Sequence, residues 1–232
     1  MIISRDTAYR VVCNIRTPIS GGEEEVGTGL FVNKGDDLFI ITASHVAQPS
    51  NTNTYLIVSD LQGAPAQALL SQFSGNAAWR HHPVADIATI RIAQTAQNQA
   101  LLQHRFFPYD HMDIGRASPS RDIQLTVLGF PLGLGASGYF SPLSFRTYAA
   151  SSLITFNRAD TKTPCNFFVL ENPSIGGYSG GAIFDLGYMI TGLMTQKKEK
   201  TLCHGFMHGT LSDDTGGKLA AVTPASYLDE WF

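Results

Sequence analysis

Apolar and polar positions alternate in short runs along most of this chain. "YRVVCNIR" (9–16), "VGTGLFV" (26–32), "DLFIIT" (37–42) and "TYLIVSD" (54–60) are rich in β-branched and aromatic residues and read as strands. "ADIATIRIA" (85–93), "IQLTVLGF" (123–130), "FRTYAASSLITF" (145–156), "CNFFVLEN" (165–172), "GYMITGLMT" (187–195) and "KLAAVT" (218–223) continue the series. "NKGDD" (33–37), between the second and third runs, has the composition of a hairpin turn. Helical spacing is confined to "AQNQALLQHRFF" (96–107) and "ASYLDEWF" (225–232), the latter following Pro224. The polar stretch 94–121 separates two β-rich halves, and the pattern as a whole predicts an all-β sandwich or barrel.

Composition narrows this picture. A chain of 232 residues makes one large domain or two small ones and buries a sizeable core. Charged residues are 15% of the chain, against roughly 25% in a typical soluble domain, which suits short strands and tight turns better than long solvated helices. A net charge of −3 gives no electrostatic footprint for nucleic acid or an anionic membrane, so neither is expected as a partner. The basic run "KKEK" (197–200) reads as a solvated hairpin tip, and "GGEEEVG" (21–27) as a solvated loop. The N-terminus lacks the apolar core of a signal peptide, and no segment approaches the ~20 apolar residues that span a bilayer. Three cysteines are too few and too scattered for a disulfide framework; Cys13 and Cys165, inside apolar runs, read as buried thiols. A cytoplasmic location is the expectation.

The stretch "ENPSIGGYSGGAIFD" (171–185) crowds glycines around Ser179 directly before an apolar run. It fits a β-turn, and it fits a nucleophile loop whose backbone N–H groups converge on an oxyanion. Acyl transfer at a serine further requires a base on the hydroxyl and a carboxylate to orient the base. "FIITASHVAQ" sets His45 after an apolar strand among small neighbours, and "HHPVADIATIRI" sets Asp86 at the head of another. A partly buried Asp in such a place needs a partner such as an imidazole N–H.

"TASHV", "ADIATI" and "GGYSGG", in that order, resemble the three catalytic motifs of the chymotrypsin-like serine proteases, most closely the HtrA/Deg-type bacterial trypsin-like peptidase domain. "VGTGLFV", "VLGFPLGL" (127–134), "YMITGL" and "GKLAAVTPASYLDEW" extend the likeness nearly end to end. The resemblance implies two packed six-stranded antiparallel β-barrels with a short C-terminal helix. Residues 1–105 would form the first barrel, carrying His45 and Asp86; 106–121 the linker; and 122–232 the second barrel, carrying Ser179. It implies His45 as general base, Asp86 as its orienting carboxylate and Ser179 as nucleophile, with the backbone N–H groups of Gly177 and Ser179 as oxyanion donors. It further implies substrate contacts at Pro173, Ser174, Thr195 and Gln196, with Thr195 beside Asp86. No metal and no cofactor is implied, and the partner is a protein or peptide substrate.

Two departures from the family shape the expectation. Tyr178 stands where digestive relatives have the Asp that pairs with a freshly cut N-terminus, so activation by cleavage is not expected, and an activating protein partner becomes an alternative. Pro173 stands where trypsin has its floor Asp, and the "GLMT" stretch lacks the His of glutamate-cleaving relatives. A small or medium apolar residue before the cut is therefore expected. With 53 residues beyond Ser179, all used by the second barrel, no further peptide-binding module is expected. "GYSGG" also fits the Gly-x-Ser-x-Gly elbow of α/β-hydrolases; of the downstream acids Asp185 and Asp213 only the first stands in the right order before His204 or His208, and the long helices that should alternate with the strands are missing. "CHGFMH" (203–208) and "HH" (81–82) lack a second ligand pair at zinc spacing and read as incidental strand histidines. A protease-fold scaffold without turnover is the remaining alternative.

Overall fold

The computed structural model describes residues 3–103, 105–191, 193–197, 200–212, 214–229 and 231–232. The N-terminal part supplies β1 (Val12–Pro18), β2 (Glu24–Lys34), β3 (Asp37–Thr42), β4 (Tyr55–Ser59), β5 (Pro65–Leu69), β6 (Arg80–His81), β7 (Ala88–Arg91) and β8 (Phe107–Pro108). They form one sheet in the order β5-β4-β1-β2-β3-β7-β6, with the short β8 pairing parallel to β2. The C-terminal part supplies β9 (Leu125–Gly129), β10 (Leu143–Thr147), β11 (Ile154–Asn157), β12 (Pro164–Leu170), β13 (Ala182–Asp185), β14 (Tyr188–Thr191), β15 (Met194–Lys197), β16 (Leu202–Ser212) and β17 (Lys218–Pro224). The second sheet runs β10-β9-β13-β16-β17-β12-β11, and β14–β15 stand apart as a hairpin.

This is the two-sheet, all-β architecture that the alternation predicts, with two-residue strands raising the count in the first sheet to eight. The β2–β3 turn falls on "NKGDD", with Lys34 facing Asp37 and Gly35 at φ 59°. The 145–156 run divides into β10 and β11, and the 187–195 run into β14 and β15. The predicted 96–107 helix is the shorter α-helix Ala96–Leu102, N-capped by the Thr95 hydroxyl, and the C-terminal helix is one 3-10 turn, Ala225–Leu228. The "KKEK" run falls partly on 198–199, outside the described residues.

Packing explains why some strands read as continuous apolar runs. In β2, Phe31 faces a first-sheet core with Ile15, Ile40, Leu56 and Phe73, while its neighbours Leu30 and Val32 face a second cluster shared with Phe107, Phe130, Phe184 and Phe206. Both faces of the strand are covered, so successive residues are apolar. Each fully buried phenylalanine contributes about 2–3 kcal/mol of apolar burial. A third cluster, with Val127, Phe168, Ile183, Met207 and Val222, fills the second sheet. The N-terminal segment ties onto the second half, through Arg5 Nη2 donating to Ser144 Oγ (2.6 Å) and Tyr9 against Phe140. Cys13, Cys165 and Cys203 are all buried free thiols, and burial pushes Cys203 up to about 12. No helix among the described residues is long and apolar enough to cross a membrane.

Candidate active site

His45 reaches the site because the apolar β3 ends at Thr42 and the chain turns through a single helical turn, Ser44–Ala47. Its neighbours Ser44, Val46 and Ala47 are buried, while its own side chain keeps 28% exposure at the edge of a cleft. Asp86, fully buried at the head of β7, accepts from the His45 backbone N–H at Oδ1 (3.0 Å) and pairs with His45 Nδ1 at Oδ2 (2.7 Å). Burial opposes ionisation of Asp86, but the hydrogen bonds from His208 and His45 overturn it and hold the carboxyl well below the usual range. Burial likewise opposes charge on His45, and the hydrogen bond and charge of Asp86 outweigh it, raising His45 above the ordinary imidazole value.

Ser179 lies in a loop whose shape depends on glycine at two positions. Gly177 has φ +102°, and a Cβ there would sit 2.3 Å from the Phe130 carbonyl oxygen. Gly180 has φ +79°, and a Cβ there would sit 2.1 Å from Thr42 Oγ1. Both the left-handed backbone and the close approach exclude larger residues. Tyr178, between Gly177 and Ser179, is 5% exposed and packs edge-on against Phe145, so an aromatic side chain anchors the loop directly before the serine.

The backbone of this loop is tied at both ends. The Gly176 carbonyl accepts from Leu132 N–H (2.8 Å), and the Gly177 carbonyl accepts from Thr28 Oγ1 (2.8 Å). In a trans peptide the C=O and N–H point in opposite directions, so the Gly177 N–H is turned away from Leu132. Among the described residues, neither the Gly177 nor the Ser179 N–H has a protein acceptor. Gly176, Gly177, Ser179 and His45 line a cleft of about 160 Å³ together with Thr17 and Glu25. The Ser179 hydroxyl donates to the His208 carbonyl at 3.4 Å; among the described residues it makes no hydrogen bond to His45.

The remaining predicted residues divide. Ser174 is buried, and its carbonyl accepts from Thr210 Oγ1 at 2.9 Å, so the 173–174 loop faces β16. Thr195 and Gln196 lie on β15, opposite Ile190 and Met189 of the stand-alone hairpin; their side chains are outside the described set. The strand beside the serine is β16, which pairs with β13 and β17, rather than the "YMITGL" strand. The place beside Asp86 expected for Thr195 is held by His208, whose Nδ1 lies 2.5 Å from Asp86 Oδ2.

His208 is therefore not an incidental strand histidine. The β16–β17 ladder pairs Met207 with Val222 and Gly209 with Ala221, leaving His208 as the extra residue of a bulge. The β13–β16 ladder skips His204 in the same way, and that imidazole pairs with Asp113 (2.7 Å). Bulges re-aim a side chain out of the regular alternation. The available signal was a glycine inside the strand pattern directly after each histidine, Gly205 and Gly209. His45, Asp86 and His208 also form a cluster of metal-ligating types, but their facing atoms are engaged in the hydrogen bonds above.

The trypsin-like peptidase domain profile matches residues 27–193. No curated protein sequence matches the chain. Among solved structures, the protease of tobacco vein mottling virus is similar with a TM-score of 0.50 at 14% identity, over 100% of this chain and 86% of the viral one. A thermostable serine protease, AL20, from an extremophilic microorganism is similar with a TM-score of 0.54 at 11% identity, over 97% and 95% of the two chains. At such identities the likeness is one of fold, the chymotrypsin-like pair of antiparallel sheets.

Proposed function

Because the chain belongs to the trypsin-like peptidase domain family, we propose that its protease chemistry is that of a serine endopeptidase built on His45, Asp86 and Ser179. The observation that carries this reading is the cleft lined by His45, Gly177 and Ser179, in which the Gly177 and Ser179 N–H groups have no protein acceptor among the described residues. Ser179 Oγ attacks the substrate carbonyl while His45 Nε2 takes its proton. The oxyanion is received by the N–H groups of Gly177 and Ser179. His45, now an imidazolium stabilised by Asp86, gives the proton to the leaving amine, and water then releases the acyl group by the reverse sequence.

For the residue before the cut we propose a small or medium apolar side chain. The Thr210 hydroxyl spans to the Ser174 carbonyl, which narrows the space between β16 and the 173–174 loop, and no carboxylate stands at Pro173.

One observation favours a second reading, a latent protease or a scaffold that acts through a partner. The Ser179 hydroxyl is directed to the His208 carbonyl and not to His45, so the nucleophile–base hydrogen bond has still to form. Free enzymes often tighten this bond only with substrate bound. Fluorophosphonate labelling of the protein and of Ser179→Ala, read by intact mass, separates the readings. Labelling of the parent alone supports the endopeptidase; an unlabelled parent removes it in favour of the latent form.

A further inference from the structure

The triad reading uses Asp86 only as the partner of His45, yet Asp86 receives two further donors. Oδ2 accepts from His208 Nδ1 as well as from His45 Nδ1, and Oδ1 faces Arg158 Nη2 at 3.3 Å. Arg158 lies at the tip of the β11–β12 hairpin, on the opposite sheet from Asp86, and is 4% exposed. Its guanidinium is fully committed. Nε and Nη2 form a fork on Asp160 (2.9 and 2.5 Å), and Nη1 donates to the carbonyls of Val84 (3.0 Å) and Ala85 (2.9 Å), immediately before Asp86. Five N–H donors meet five acceptors, which is the full capacity of an arginine.

We propose that Arg158, together with His208, is a positioning residue that fixes Asp86, and through it His45, onto the half of the molecule that carries Ser179. This rests on the triad reading above. The argument is one of connection. His45 and Asp86 stand on the first sheet and Ser179 on the loop into the second, so the distance from base to nucleophile depends on how the two sheets are held at this point. Arg158 joins the sheets there through Nη1 on the Val84 and Ala85 carbonyls and Nη2 on Asp86, while the fork on Asp160 of its own hairpin orients the guanidinium; a point charge cannot reproduce this planar spread of donors. His208 reinforces it from β16, with its imidazole on Asp86 and its carbonyl on Ser179. A buried guanidinium would be costly to keep without such a set of partners.

The charge of Arg158 also bears on His45. The charged groups acting on that imidazole are Asp86, and Asp160 and Arg158 from the hairpin, with the His208 ring beside it (centroids 5.7 Å apart); Glu25 lines the same cleft, and His81 bonds the neighbouring Ser44. Replacing Arg158 by a neutral side chain removes a cation from this set, so His45 gains protons more readily.

The test combines two readouts on the full chain: the NMR titration midpoint of the His45 imidazole, which needs no turnover, and the rate of fluorophosphonate labelling. Arg158→Met is expected to raise the midpoint and slow labelling roughly ten- to a hundredfold. Arg158→Lys, which keeps the buried charge and so tolerates folding better, is expected to hold the midpoint near the parent's while labelling stays slow. Parent-like labelling of Arg158→Lys with a parent-like midpoint in Arg158→Met would overturn the proposal and leave the triad reading intact. An unlabelled parent whose His45 midpoint still moves in Arg158→Met would sink the serine-protease reading and leave the brace standing.

Discussion

Thr28 Oγ1 donates to the carbonyl oxygen of Gly177 at 2.8 Å, across 149 positions of sequence. Thr28 Oγ1 itself accepts from the Phe130 N–H at 3.2 Å, and Thr42 Oγ1 in turn donates to the Thr28 carbonyl (2.7 Å). A buried hydroxyl on β2 of the first sheet thus sets the orientation of a glycine in the loop that carries Ser179. Thr28→Val keeps the shape and removes both bonds, leaving a buried carbonyl and a buried N–H unpaired. We expect a loss of about 1–3 kcal/mol in urea unfolding, together with slower fluorophosphonate labelling. Unchanged stability and labelling would show that the loop holds itself.

Gly177→Ala tests the oxyanion donors. A Cβ at φ +102° meets the Phe130 carbonyl at 2.3 Å and the Leu132 N at 3.0 Å, so the 176–177 peptide must turn. Loss of one aligned donor costs about 10²–10³-fold in turnover. The expected outcome is that drop in labelling rate with the native fold retained by circular dichroism; a parent-like rate would remove Gly177 from the oxyanion site.

The pH dependence follows from two opposed shifts. His45 is raised, so the base loses its proton only above the ordinary imidazole value, and labelling should rise with pH through that higher midpoint. Asp86→Asn removes the cause, moving the midpoint down and lowering the rate by about 10⁴-fold. For stability the signs differ. The raised His45 stabilises the fold below the ordinary imidazole value, and that contribution fades as pH rises through its folded value. The lowered Asp86 stabilises it above the ordinary carboxylate range and is lost as pH falls toward its depressed value. Urea midpoints should therefore fall in the parent as pH drops below the ordinary carboxylate range, and stay flatter there in Asp86→Asn.

Thr210→Gly opens the space that the Thr210–Ser174 hydrogen bond closes. In a peptide-library digest, the variant should accept larger residues before the cut than the parent does. An identical cleavage profile would place the specificity pocket elsewhere.

The sequence by itself determined what depends on near neighbours. Alternating runs set the strands, "NKGDD" set the β2–β3 turn, and the glycines around Ser179 announced a backbone that only glycine permits. His45 and Asp86 were legible because each sits at a strand end among residues of a particular kind, and position relative to a strand is a local property. Only the tertiary structure decided which strand lines the serine, and which side chains complete the setting of Asp86. Taken alone, "GYMITGLMT" reads as a strand and "CHGFMH" as a strand with incidental histidines; sheet order gave the place to β16 and left β14–β15 a separate hairpin. His208 faces Asp86 because a one-residue bulge turns it out of the ladder, and it does so across 122 positions. Arg158 reaches Asp86 because two sheets pack with one hairpin tip against one loop. Registers, bulges and sheet contacts are set by the joint packing of distant segments, so no window of sequence contains them.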